Sequence, residues 1–106
     1  MSQEALPNFA QLNAKLANDN SRVNAWVDGL AERIDNLVDA TLRSDWMEVK
    51  RLCQYIARSS ALYGYPLLAE NAERVANASE AENETEIKRG VIKLIGAAGR
   101  ARKPVN

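Results

Sequence analysis

The chain has 106 residues, 46% hydrophobic and 26% charged, enough for one compact domain with a single core. Fourteen basic and fourteen acidic side chains cancel, which leaves no electrostatic case for nucleic acid or for an anionic membrane surface. Histidine is absent altogether, and with it go the commonest general base, the commonest metal ligand and any phosphohistidine chemistry.

In chain order, the first expected element is a short amphipathic helix over about 7–18, carrying Phe9, Leu12 and Leu16 at three- and four-residue spacing. The polar run Asn18-Asp19-Asn20-Ser21 ends it and offers a cap for the next helix. That long helix is expected from Arg22 to about Arg43. Val23, Trp26, Val27, Leu30, Ile34, Leu37, Val38 and Leu42 form its apolar stripe.

Asp45 and Glu48 have the spacing of a capping box, so a further helix should run from Trp46 to Tyr63. Val49, Leu52, Cys53, Ile56, Ser60 and Tyr63 form its inner face, and Gly64 suits the left-handed stop. Pro66 suits the first turn of another helix to about Ala78, with Leu68, Ala72 and Val75 inward. Ser79 to Asn83 is polar and acidic and reads as a loop. Asn83 with Glu86 then caps a last helix whose inner positions are Ile87, Val91, Leu94, Ile95 and Ala98. The end of the chain is basic, and residues 103–106 are expected to fray.

The pattern predicts an all-α protein: an antiparallel four-helix bundle over about 22–102, with the short leading helix, in a single domain spanning 1–106. Cys53 has no partner for a disulfide or a zinc site and reads as a core residue. Trp26 and Trp46 read as core or boundary anchors. No segment has the length of a membrane span or the form of a signal peptide, so a cytoplasmic protein is expected. The sequons at Asn77 and Asn83 are then chance matches. The carboxylates form no set with a nucleophile, metal ligands or a phosphate loop. No enzyme activity, metal or cofactor is therefore expected.

On a helical wheel, Met47, Arg51, Gln54, Arg58 and Ala61 face away from the inner stripe of Trp46–Tyr63, with Lys50 and Ala57 at its border. This leaves a shallow outward patch of small residues around Gln54, bordered by cations.

The stretch from Asp45-Trp46 through Leu52-Cys53-Gln54-Tyr55-Ile56-Ala57-Arg58-Ser59-Ser60-Ala61-Leu62 to Tyr63-Gly64-Tyr65-Pro66 resembles the central helix of histidine-phosphotransfer domains. In that family an alanine-histidine-glutamine-leucine-lysine-glycine run is succeeded by small residues and a Tyr-Gly-Phe/Tyr-Pro ending. The ending stands intact at Tyr63-Gly64-Tyr65-Pro66, and the order and length of the flanking helices match from Val23 to Ala98.

The departures fall on the chemistry. Gln54 occupies the position of the phospho-accepting histidine, Ala57 that of the lysine that helps hold the phosphoryl group, and Arg58 that of the adjoining glycine. Glutamine has no nucleophilic ring nitrogen. The resemblance thus implies the fold and a docking surface for the receiver domain of a response regulator, without phosphotransfer. That surface would comprise Arg51, Gln54, Ala57, Arg58 and Ala61, with parts of the helix at 22–43.

Simpler readings exist beside this one. Gln54 is a good helix former that suits any exposed site, and cations usually form a solvated face. The alternative is a structural bundle without a signalling surface, monomeric or homo-oligomeric, which an exposed apolar patch away from Gln54 would favour.

Overall fold

The computed structural model describes residues 20–104. These contain helices and their connections, and no strand among the described residues. The expected helix at 7–18 lies outside them. Four helices are bounded on both sides: α1 (Leu30–Leu42), α2 (Trp46–Tyr63), α3 (Pro66–Glu80) and α4 (Glu84–Gly99). Each packs against the next, and α4 packs back on α1.

The chain divides into two compact units. One is Gly29–Ala101 and contains all four helices. The other comprises Met1–Asp28 with Arg102–Asn106. Within this second unit residues 20–28 are helical, Trp26 is buried, and Lys103 Nζ lies 2.6 Å from Asp28 Oδ1. Asn20 and Ser21, expected to cap a helix starting at Arg22, are already helical.

The single helix expected over 22–43 is interrupted at Gly29, which has turn geometry (φ −83°, ψ −5°) and serves as the N-cap of α1 without a side chain to cap it. Inside a helix, glycine costs roughly 0.5–1 kcal/mol relative to alanine, so the pattern gives way there most readily. The other boundaries obey local chemistry. Asp45 Oδ1 accepts from the Glu48 N–H at 3.2 Å, and Asn83 Oδ1 accepts from the Glu86 N–H at 3.2 Å. Gly64 (φ 86°) ends α2, with the Tyr65 N–H donating to the Ser60 carbonyl at 2.8 Å, and Pro66 opens α3.

The core of Gly29–Ala101 is built from Leu30, Ile34 and Leu37 of α1, Val49, Cys53 and Ile56 of α2, Leu68, Ala72 and Val75 of α3, and Ile87, Val91 and Leu94 of α4, all buried. Of the expected inner residues, Val38, Leu52, Tyr63 and Ala98 are only half-buried, and two are exposed. Leu42 is 77% exposed. It lies five residues beyond Leu37, off the inner face, which continues instead through Ala40 and Thr41. The buried Thr41 hydroxyl is satisfied by donating to the Leu37 carbonyl at 2.8 Å.

Ile95 is 41% exposed. The cause is the seating of α4 on α3. A Cβ added at Gly90 would come within 2.7 Å of Val75 Cγ2, so glycine admits the two helices at very close approach. That contact turns the Gly90 side of α4 inward and the Ile92–Ile95 side toward water. Finally, the loop expected from Ser79 begins later. Helix α3 continues to Glu80, and Ser79 is buried with its hydroxyl donating to the Val75 carbonyl at 2.8 Å.

Candidate functional site

Helix α2 is held at both ends by its caps, and its inner residues Val49, Cys53 and Ile56 lock its rotation. With that phase set, Gln54, Ala57, Arg58 and Ala61 turn to one side and line an open groove of about 410 Å³. Gln54 and Ala57 are half-buried at its floor, whereas Arg58 and Ala61 are exposed at its rim. The second wall is α3, through Glu73, Ala76 and Asn77. These three are not expected from the sequence. Their only trace there is the pair of small residues Ala72 and Ala76 one turn apart, which leaves room above α3.

The structure brings together four of the five expected site residues. Arg51 lies elsewhere. With Arg33, Leu52, Tyr55 and Ile56 it lines a separate hollow between α1 and α2. Its guanidinium donates to both carboxylate oxygens of Glu48, at 2.5 and 2.9 Å. This hydrogen-bonded pairing holds the Glu48 carboxyl below its ordinary range and pushes Arg51 higher still. In the same hollow the Arg33 guanidinium stands 5.3 Å from the centre of the Tyr55 ring and donates to its hydroxyl at 3.4 Å. Helix α1 thus faces this hollow, and α3 rather than α1 walls the groove around Gln54.

The cations differ in availability. Lys50 pairs with Glu80 across α2 and α3, and Arg51 is taken by Glu48. Arg58 makes no ion pair among the described residues, although Glu73 lines the same groove. The groove therefore offers one available guanidinium, one carboxylate and the Gln54 carboxamide, set among alanines. Such a surface can form charge-assisted and amide hydrogen bonds and admit an apolar partner closely.

Cys53 sits directly behind this face with no exposed surface, and burial pushes its thiol up to about 12. Among the described residues no group of three histidine, cysteine or acidic side chains converges as a metal site. No helix among them is long and apolar enough to cross a membrane. Comparison with protein-family models, with curated proteins and with solved structures finds no match to this chain.

Proposed function

We propose that the chain is an antiparallel four-helix bundle of the histidine-phosphotransfer type that has lost its chemistry. It acts as a non-catalytic interaction module of two-component signalling, in the cytoplasm. Its partner is the receiver domain of a response regulator, and the docking surface is the groove of α2 and α3.

The observation that carries this reading is the grouping of Gln54, Ala57, Arg58 and Ala61 on one open face of the helix that ends in Tyr63-Gly64-Tyr65-Pro66. Each supports binding without transfer. The Gln54 carboxamide has donors and an acceptor but no nucleophilic nitrogen. Ala57 leaves no ammonium to neutralise a phosphoryl group. Arg58 supplies an available cation for an acidic partner surface. A module of this kind would compete with active phosphotransfer domains or hold a receiver in one state.

A specific observation favours a second reading, a structural bundle that self-associates: Ile92 and Ile95 are exposed on α4, away from Gln54. Calorimetric titration with the receiver domains encoded in the same genome separates the two. Saturable binding by at least one receiver is expected. If none binds, the signalling reading fails and the structural one stands.

A further inference from the structure

We infer that the hollow between the first turn of α3 and the end of α4 is a binding site for a small apolar carboxylic acid, its ring or chain seated among Pro66, Leu67, Leu68 and Ala97 and its carboxylate on Arg100. The hollow has a volume of about 180 Å³ and lies within the unit Gly29–Ala101. A cavity of about 150 Å³ admits a benzene ring, so one ring or a short chain fits. Its shape follows from the two helices. At Gly90 they meet at the closest approach, against Val75. Two turns further along the same side of α4 stands Ala97, with only a methyl group to offer. Opposite it, Leu68 is drawn into the core, while Leu67 is left 65% exposed. The seam therefore opens into an apolar hollow at its end.

Charge identifies the ligand class. Arg100 also lines the hollow, and it makes no ion pair among the described residues. Its side chain folds back along α4, so that a Cβ added at Gly96 would stand 3.4 Å from Arg100 Nη1. Gly96 is not part of the wall of the hollow. The guanidinium thus stands at the lip and leaves the apolar walls clear. In the next hollow down the same seam, Lys93 is likewise unpaired among the described residues. The two carboxylates that bond the other cations there are engaged, Glu70 with Arg74 at 2.7 Å and Glu86 with Arg89 at 2.9 Å. The end of the seam consequently joins an apolar cavity to a cation with no counter-ion.

A guanidinium matches a planar carboxylate with two parallel hydrogen bonds. One such group at the lip suits a single carboxylate. A nucleotide or sugar phosphate would bring more polar atoms than these apolar walls can bond. The site is formed by α3 and α4, whereas the groove around Gln54 lies between α2 and α3. Occupying one leaves the other open.

Amide chemical shifts of the full chain titrated with phenylacetate test the inference. Saturable shifts are expected at Leu67, Leu68, Ala97 and Arg100. An open hollow and a ligand of about ten heavy atoms set a dissociation constant on the order of 1 mM. Phenylacetamide, equal in shape but neutral, and acetate, which lacks the ring, should each bind at least about tenfold more weakly. Arg100→Gln should remove the preference for acid over amide, and Arg100→Lys should keep part of it. Arg100 is exposed, so both variants should retain the parent's dispersed spectrum. Leu67→Gln should weaken acid and amide alike. No saturation well above that concentration, acetate binding as tightly as phenylacetate, amide binding as tightly as acid, or a preference untouched by Arg100→Gln would overturn the inference.

Discussion

Gly90 of α4 lies against Val75 of α3 so closely that an added Cβ would stand 2.7 Å from Val75 Cγ2. Val75 is buried and β-branched, so its methyl has nowhere to retreat. This contact brings two helices together and also fixes which side of α4 meets water.

Gly90→Ala should therefore destabilise the fold. Overpacking costs about 1–3 kcal/mol, and alanine's better helix propensity returns up to about 1 kcal/mol. A net loss of roughly 1–2 kcal/mol is expected in urea denaturation. Gly99→Ala, which meets no neighbour, should be neutral or slightly stabilising. Equal effects at the two positions would contradict the close approach.

Ile56→Ala should cost about 2–5 kcal/mol, as for other large-to-small changes at buried sites. Leu42→Ala should change stability by no more than about 0.5 kcal/mol, since Leu42 is exposed. Denaturation midpoints of the two variants against the parent chain decide the matter.

Those two residues also mark what the sequence made legible. Asp45 and Asn83 announce helix starts because their side chains cap N–H groups three residues on, and Gly64 and Pro66 mark an end and a start through the backbone angles they favour. Leu42 and Ile95 mislead because hydrophobicity does not say which way a residue faces once a helix is seated on its neighbours. Ser79 reads as loop by polarity, yet its hydroxyl finds the Val75 carbonyl and the helix runs on. In the groove, Gln54, Ala57, Arg58 and Ala61 share one helix, so periodicity alone groups them. Arg51 drops out through its pairing with Glu48. Glu73, Ala76 and Asn77 come from α3, and no local pattern says that α3 would form the other wall.

Cys53 should be inert in the native protein. Burial raises its thiol from 9.0 to about 12, so almost no thiolate exists at pH 8. A disulfide reagent should label it only after denaturant is added, and rapid native labelling would show that the core opens. The same shift links stability to pH. Between the ordinary value and the folded one, the unfolded chain loses the proton and the folded chain keeps it. The thiol's contribution is thus intact below pH 9 and declines above it, by at most about 1.4 kcal/mol per pH unit. Denaturation between pH 8 and 10 should show this slope reduced in Cys53→Ala.

The chain should accept no phosphoryl group. Incubated with a phosphorylated receiver or with acetyl phosphate, it should remain unlabelled, because Gln54 offers no ring nitrogen and Ala57 no ammonium. Acid-labile label on the chain would reveal an acceptor other than histidine.

The most direct measurement is calorimetry of receiver binding with substitutions confined to the groove. For a receiver that binds the parent chain, Arg58→Glu should weaken the complex by roughly 1–3 kcal/mol, the scale of a hydrogen bond to a charged group. Ala61→Trp, placed at the exposed rim, should block close approach. Both variants should keep the parent's helical content and denaturation midpoint. The contradictory result is a receiver that binds both variants as tightly as the parent, or the absence of any receiver that binds at all.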